Sequence, residues 1–150
     1  MAQILSGFSR DANGVPIWTK GLLVSKTITY VAGTTGAIAS VTLFTVTGTV
    51  IVNIFAVCSL ADLTGVNTTI EVGVTGNTAA LLPLTTAVNL DVGDIWTNVT
   101  TFTKAEAVLS DKIVNSDILQ EIKTTAMSGG TLTYYCFWNP VSSDGNVVAA

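Results

Sequence analysis

Asp91 and Asp94 share one short segment, Asp91-Val92-Gly93-Asp94, and Asp62 stands near Gly65 and Asn67. A carboxylate pair of this kind could ligate calcium or divide the roles of acid and base. No further ligand cluster surrounds these residues in the sequence, and Asp and Gly are ordinary turn formers. Turn chemistry is therefore expected at both places, with no metal and no cofactor. Histidine is absent. That removes a histidine general base, a Ser-His-Asp triad and a histidine-ligated metal. Cys58 and Cys136 are far from any CxxC spacing and lie in apolar runs, so two buried thiols are expected, with a disulfide as the alternative. Trp18, Trp96, Trp138, Tyr134 and Tyr135 could stack on sugar rings, but aromatics make up only 7% of the chain and are spread along it. They are expected in the core or at interfaces. Asn67-Thr68-Thr69 and Asn98-Val99-Thr100 match the glycosylation sequon by chance in a Thr-rich chain. No catalytic residues emerge, and an enzyme is the least favoured class.

The elements that would carry these residues read as strands. Leu22 to Tyr30 alternates Ile28 and Tyr30 with Thr27 and Thr29. Thr68 to Val74 sets Ile70, Val72 and Val74 against Glu71, as a half-buried strand requires. Leu84 to Leu90 and Ile95 to Thr97 follow. Two hairpins are expected. One joins Val41–Val46 to Val50–Cys58 through Thr47-Gly48-Thr49. The other joins Ile118–Thr125 to Thr131–Trp138 through Met127-Ser128-Gly129-Gly130. Lys104 to Val114 is the one helix candidate, with a strand or turn as the alternative. Residues 1–21 form an expected N-terminal arm, with turn formers packed into Arg10 to Pro16. Residues 22–150 form the domain. Short strands at regular spacing predict an all-β, jelly-roll-like sandwich with that arm extended from it.

The apolar stretch Ala37 to Ala61 is long enough to cross a bilayer. Its Thr42, Thr45, Thr47 and Thr49, its central Gly48 and its β-branched residues favour strands instead, so no membrane partner is expected. Met1 to Arg10 lacks a basic region followed by a long apolar one, so no signal peptide is expected.

Charged residues make up 11% of the 150, against about 25% in a typical domain. The net charge is −4 and the six basic residues are scattered, which argues against nucleic acid as a partner. A chain so poor in charge fits a stable homo-oligomer that buries much of its surface. The strand Thr131 to Trp138 is apolar or aromatic on both faces, and so is either central between layers or at a subunit interface. Tyr135, Phe137 and Trp138 are its candidate interface residues.

Several segments together resemble small structural proteins of tailed bacteriophages. They are Val41 to Cys58, Ile70 to Val74 followed by Gly76 to Leu81, Asp91 to Trp96, and Tyr135 to Pro140 running into Ser143 to Asn146. Arg10 to Pro16 resembles the arm that precedes a β domain in many virion proteins. The resemblance implies a virion component, a capsid decoration (cement) protein on the capsid exterior, made in the bacterial host cytoplasm. It also implies a homo-oligomer, expected as a trimer, with the major capsid protein as partner. The arm would be the capsid contact through Arg10, Asp11, Val15, Pro16, Ile17 and Trp18. A head or tail fibre component that binds a receptor or glycan is the alternative.

Overall fold

The computed structural model describes residues 21–99, 104–105 and 109–150. Its elements are β1 (Leu22–Thr29), β2 (Ser40–Thr47), β3 (Val50–Cys58), β4 (Thr69–Val74), β5 (Asn77–Thr86), β6 (Ile95–Trp96), β7 (Lys112–Val114), β8 (Ile118–Lys123), β9 (Thr131–Pro140) and β10 (Asn146–Ala149). A 3-10 turn at Ala87–Asn89 is the only helical element among the described residues.

The pairing is nested. β4 pairs β5, β3 pairs β6 and β7, β2 pairs β8, and β1 pairs β9, all antiparallel. This long hairpin is rolled up, so that β9 also meets β3 and β8 also meets β4. The first sheet has the order β1-β9-β3-β6, with β7 also on β3. The second has the order β10-β2-β8-β4-β5. The result is an all-β sandwich with the strand order of a jelly roll.

Both expected hairpins are corrected by this pairing. β2 and β3 lie in different sheets, as do β8 and β9. The edges explain why: β3 is flanked by β9 and by β6 and β7, while β2 is flanked by β10 and β8, so neither has an edge left for the other. The turns at Gly48 and at Gly129-Gly130 reverse the chain but carry it across the sandwich. Gly48 adopts φ 63, and a Cβ there would fall 2.4 Å from the side chains of Asp144 and Ser142. The true tight hairpin is β4–β5, closed by Thr75-Gly76 with Val74 opposite Asn77 and Gly76 at φ 85.

Two further boundaries move. The strand expected at Leu84–Leu90 is β5, which begins at Asn77 and ends at Thr86. Pro83 sits inside it, which an edge strand tolerates because one side of its ladder is free. The helix candidate Lys104–Val114 ends instead in strand β7, with Val114 buried against β3. Residues 106–108 of that candidate lie outside the described residues.

The core follows the alternation of the central strands. Val50, Val52, Ile54, Ala56 and Cys58 of β3 point inward, as do Leu132, Tyr134, Cys136 and Trp138 of β9. Phe44, Ile70, Val72, Leu82, Ile118 and Ile122 answer them from the second sheet, and Trp96 is fully buried among them. Lys26 closes one seam, its Nζ donating to the carbonyls of Thr42 (2.9 Å) and Ala150 (2.7 Å). No helix among the described residues is long and apolar enough to cross a membrane.

Candidate functional site

The carboxylates singled out above serve a turn. Asp94 Oδ2 accepts from the Asp91 N–H at 3.1 Å, and Asp62 Oδ1 accepts from the Val92 N–H at 2.6 Å. Lys104 Nζ donates to the Val92 carbonyl at 2.8 Å and to Asp94 Oδ1 at 3.3 Å. Asp62 thus fastens the β3–β4 connection to the β5–β6 connection, Asp94 closes the turn on the Asp91 N–H, and Lys104, between β6 and β7, holds the same turn from the other side. Among the described residues no group of three or more His, Cys, Asp or Glu side chains could hold a metal ion.

The thiols are placed apart. Cys136 lies opposite Ile54 and Cys58 opposite Leu132, on adjacent strands. Four residues along a strand separate them by about 13 Å, beyond the reach of a disulfide, and both are free and buried. Burial pushes the Cys136 thiol up to about 12. Burial, with the nearby Asp62 charge, raises Cys58 as well. Neither is a nucleophile at neutral pH, because the reactive form is the thiolate.

A buried polar cluster joins the two sheets. The hydroxyls of Tyr30 and Tyr134 each donate to Gln120 Oε1 at 2.6 Å and lie 3.0 Å from one another. Burial raises both phenols far above their ordinary range, so they remain protonated donors. Gln120 Nε2 has no partner. The cluster is a clamp across the core, sealed from substrate.

A shallow cleft of about 150 Å³ runs between β4, β5 and β7, lined by Val74, Leu81, Lys112, Val114 and Asn115 among others. It lacks the convergent polar groups of a ligand site.

What remains are the outer faces of the sandwich, and they differ. On the first sheet no outward position of β1, β3 or β9 carries a charge. Phe55 of β3 lies opposite Tyr135 of β9, with ring centroids 5.2 Å apart, and 6.4 Å from Phe137. Leu23 lies opposite Phe137, and Ile113 opposite Ile51. Leu23 is 55% exposed and Ile113 74%. The hydroxyls on this face are paired with each other: Thr27 with Thr133 (3.0 Å) and Thr29 with Thr131 (3.2 Å). Asn53 Nδ2 donates to Asp111 Oδ1 at 2.9 Å.

The second sheet presents Glu71, Glu121 and Lys123. Lys123 Nζ lies 2.6 Å from Glu71 Oε1 and 3.3 Å from Glu121 Oε2, and Thr78 donates to the same Glu71 oxygen. Glu71 is only 4% exposed. Burial alone would raise its carboxyl, but the hydrogen bonds from Lys123 and Thr78 outweigh it and hold the carboxyl below its usual range. The same carboxylates hold the Lys123 ammonium above its usual range, through the Glu71 hydrogen bond first.

Of the candidate interface residues, Tyr135 and Phe137 stand together on the uncharged face, half-buried. Trp138 is corrected: alternation along β9 turns it inward, where it is 8% exposed and part of the core. Arg10, Asp11, Val15, Pro16, Ile17 and Trp18 lie outside the described residues. Sequence reasoning passed over Phe55, Ile51 and Ile113. Their signal was present in β3, where three of the four outward positions, Ile51, Phe55 and Val57, are apolar and Asn53 is the exception. The loop from Asp62 to Asn67 supplies no aromatic or polar cluster. The Thr64 N–H donates to the Gly129 carbonyl (3.1 Å), and Val66 is its exposed tip. Comparison of the chain with family models, curated proteins and solved structures finds no match.

Proposed function

We propose that this chain is a virion structural protein, a capsid decoration (cement) protein that binds the outer face of a phage head as a homo-oligomer. The observation that carries the reading is the jelly-roll sandwich with one outer face free of charge on β1, β3 and β9. Such a role needs a stiff domain, dry contacts and no chemistry. The polar groups described above agree with it. The acids fasten a turn, the thiols stay protonated, and the phenols clamp the core. The major capsid protein is the partner, and residues 1–20 supply the arm toward it.

The test is the protein content of purified virions of the phage that encodes the chain. Quantitative mass spectrometry is expected to find it at a copy number comparable to that of the shell protein. Virions that lack it overturn the reading. A few copies per particle would move it to a fibre or tail.

A further inference from the structure

We infer that copies of this chain meet one another through the outer face of the first sheet, with Phe55, Tyr135 and Phe137 at the centre of the contact. The inference rests on the homo-oligomer in the reading above and names its surface. Three strand rows spaced about 4.8 Å apart and a β3–β9 ladder about 30 Å long make a face of roughly 430 Å² in plane, which the short β6 and β7 extend beside β3. Side chains standing on it raise the accessible area toward the ~800 Å² per partner of a standard interface. Within it Ile51, Phe55, Tyr135 and Phe137 form a contiguous apolar centre, the kind of patch that marks an interaction site.

The chemistry selects a second copy as the occupant. No charge stands on the outward positions of β1, β3 and β9. A charged partner surface would lose hydration there and gain no counter-charge. The corresponding face of another copy is equally poor in charge, with Asp111, held by Asn53, at its β7 edge. Four of its hydroxyls tolerate drying, because Thr27 and Thr29 already bond across to Thr133 and Thr131. An aromatic centre with little charge is the composition of an interface core. The outer face of the second sheet, with Glu71, Glu121 and Lys123, has the opposite character.

The experiment is light scattering after gel filtration of the full chain, with circular dichroism to read the fold. The wild type is expected at a multiple of 15.5 kDa. Tyr135→Lys and Ile113→Lys are expected to fall to the monomer mass with an unchanged β spectrum. Val148→Lys, at an exposed position on β10 of the other sheet, is expected to keep the wild-type mass. Should Tyr135→Lys lose its fold, Ile113→Lys decides alone, since that side chain is 74% exposed. Face variants that keep the full oligomer mass overturn this inference and leave the oligomeric reading standing. A monomeric wild type overturns both.

Discussion

The two outer faces of this sandwich rest on one core and follow the same alternation, yet they are made for different surroundings. On the second sheet a nearly buried carboxylate, Glu71, is held by Lys123 and Thr78, with Glu121 on the other side of the ammonium. On the first, rings stack across β3 and β9 and threonine hydroxyls bond to each other. The lesson is that a β-sandwich separates stability from recognition. Inward positions decide the fold, and outward positions, one residue away, are free to be either wet or dry.

The change that would erase the comparison is the largest. Trp96→Ala empties a fully buried site between the sheets and is expected to cost about 3–5 kcal/mol. The measurement is the urea midpoint, and both faces should be lost in one transition. Alkali is next. Cys136 ionises near 9 when unfolded and only near 12 when folded. The folded state therefore holds the proton longer, and stability present below pH 9 falls as pH rises toward 12, by about 1.4 kcal/mol per pH unit. Urea titrations at pH 8 and 10.5 should show a smaller drop for Cys136→Ala than for the wild type.

A smaller effect is expected at the clamp between the faces. Tyr134→Phe removes one of two donors to Gln120 and should cost about 1 kcal/mol in a thermal melt. Acid sharpens the contrast further. Glu71 has a lowered pKa, so its contribution is complete above the ordinary carboxylate range and lost as pH falls through the folded value. Lys123→Met should reduce the stability difference between pH 7 and pH 3, whereas Thr27→Val on the first face should leave that difference unchanged. Thr27→Val itself is expected to shift stability by no more than about 0.5 kcal/mol. A larger acid effect from Thr27→Val would mean that the two faces are electrostatically coupled.

The alternation that sets the two faces was legible before the fold. The opposed faces of β9 follow from its sequence, and Tyr135 and Phe137 stand outward as that alternation requires. Trp138 failed as an interface residue for the same reason: its parity matches Tyr134 and Cys136, which are buried. The turn at Asp91–Asp94 was legible because Asp and Gly act locally, as in the bond from the Asp91 N–H to Asp94, while the bonds from Asp62, Lys104 and Cys58 that fasten it to the rest of the fold were not. The helix proposed at Lys104–Val114 was not, because Lys112–Val114 is shaped by the edge of β3 on which it lies.

The sequence by itself determined the class of structure and the identity of the inward side chains, since period-two alternation and turn residues depend only on near neighbours. The tertiary structure decided which strands pair. A glycine turn reverses the chain whether or not the strands beside it have free edges, and at Gly48 and Gly129-Gly130 those edges are taken by strands distant in sequence. The same long-range register sets Phe55 beside Tyr135. No local pattern could bring those rings together, because residues 80 positions apart meet only when the whole hairpin has rolled up.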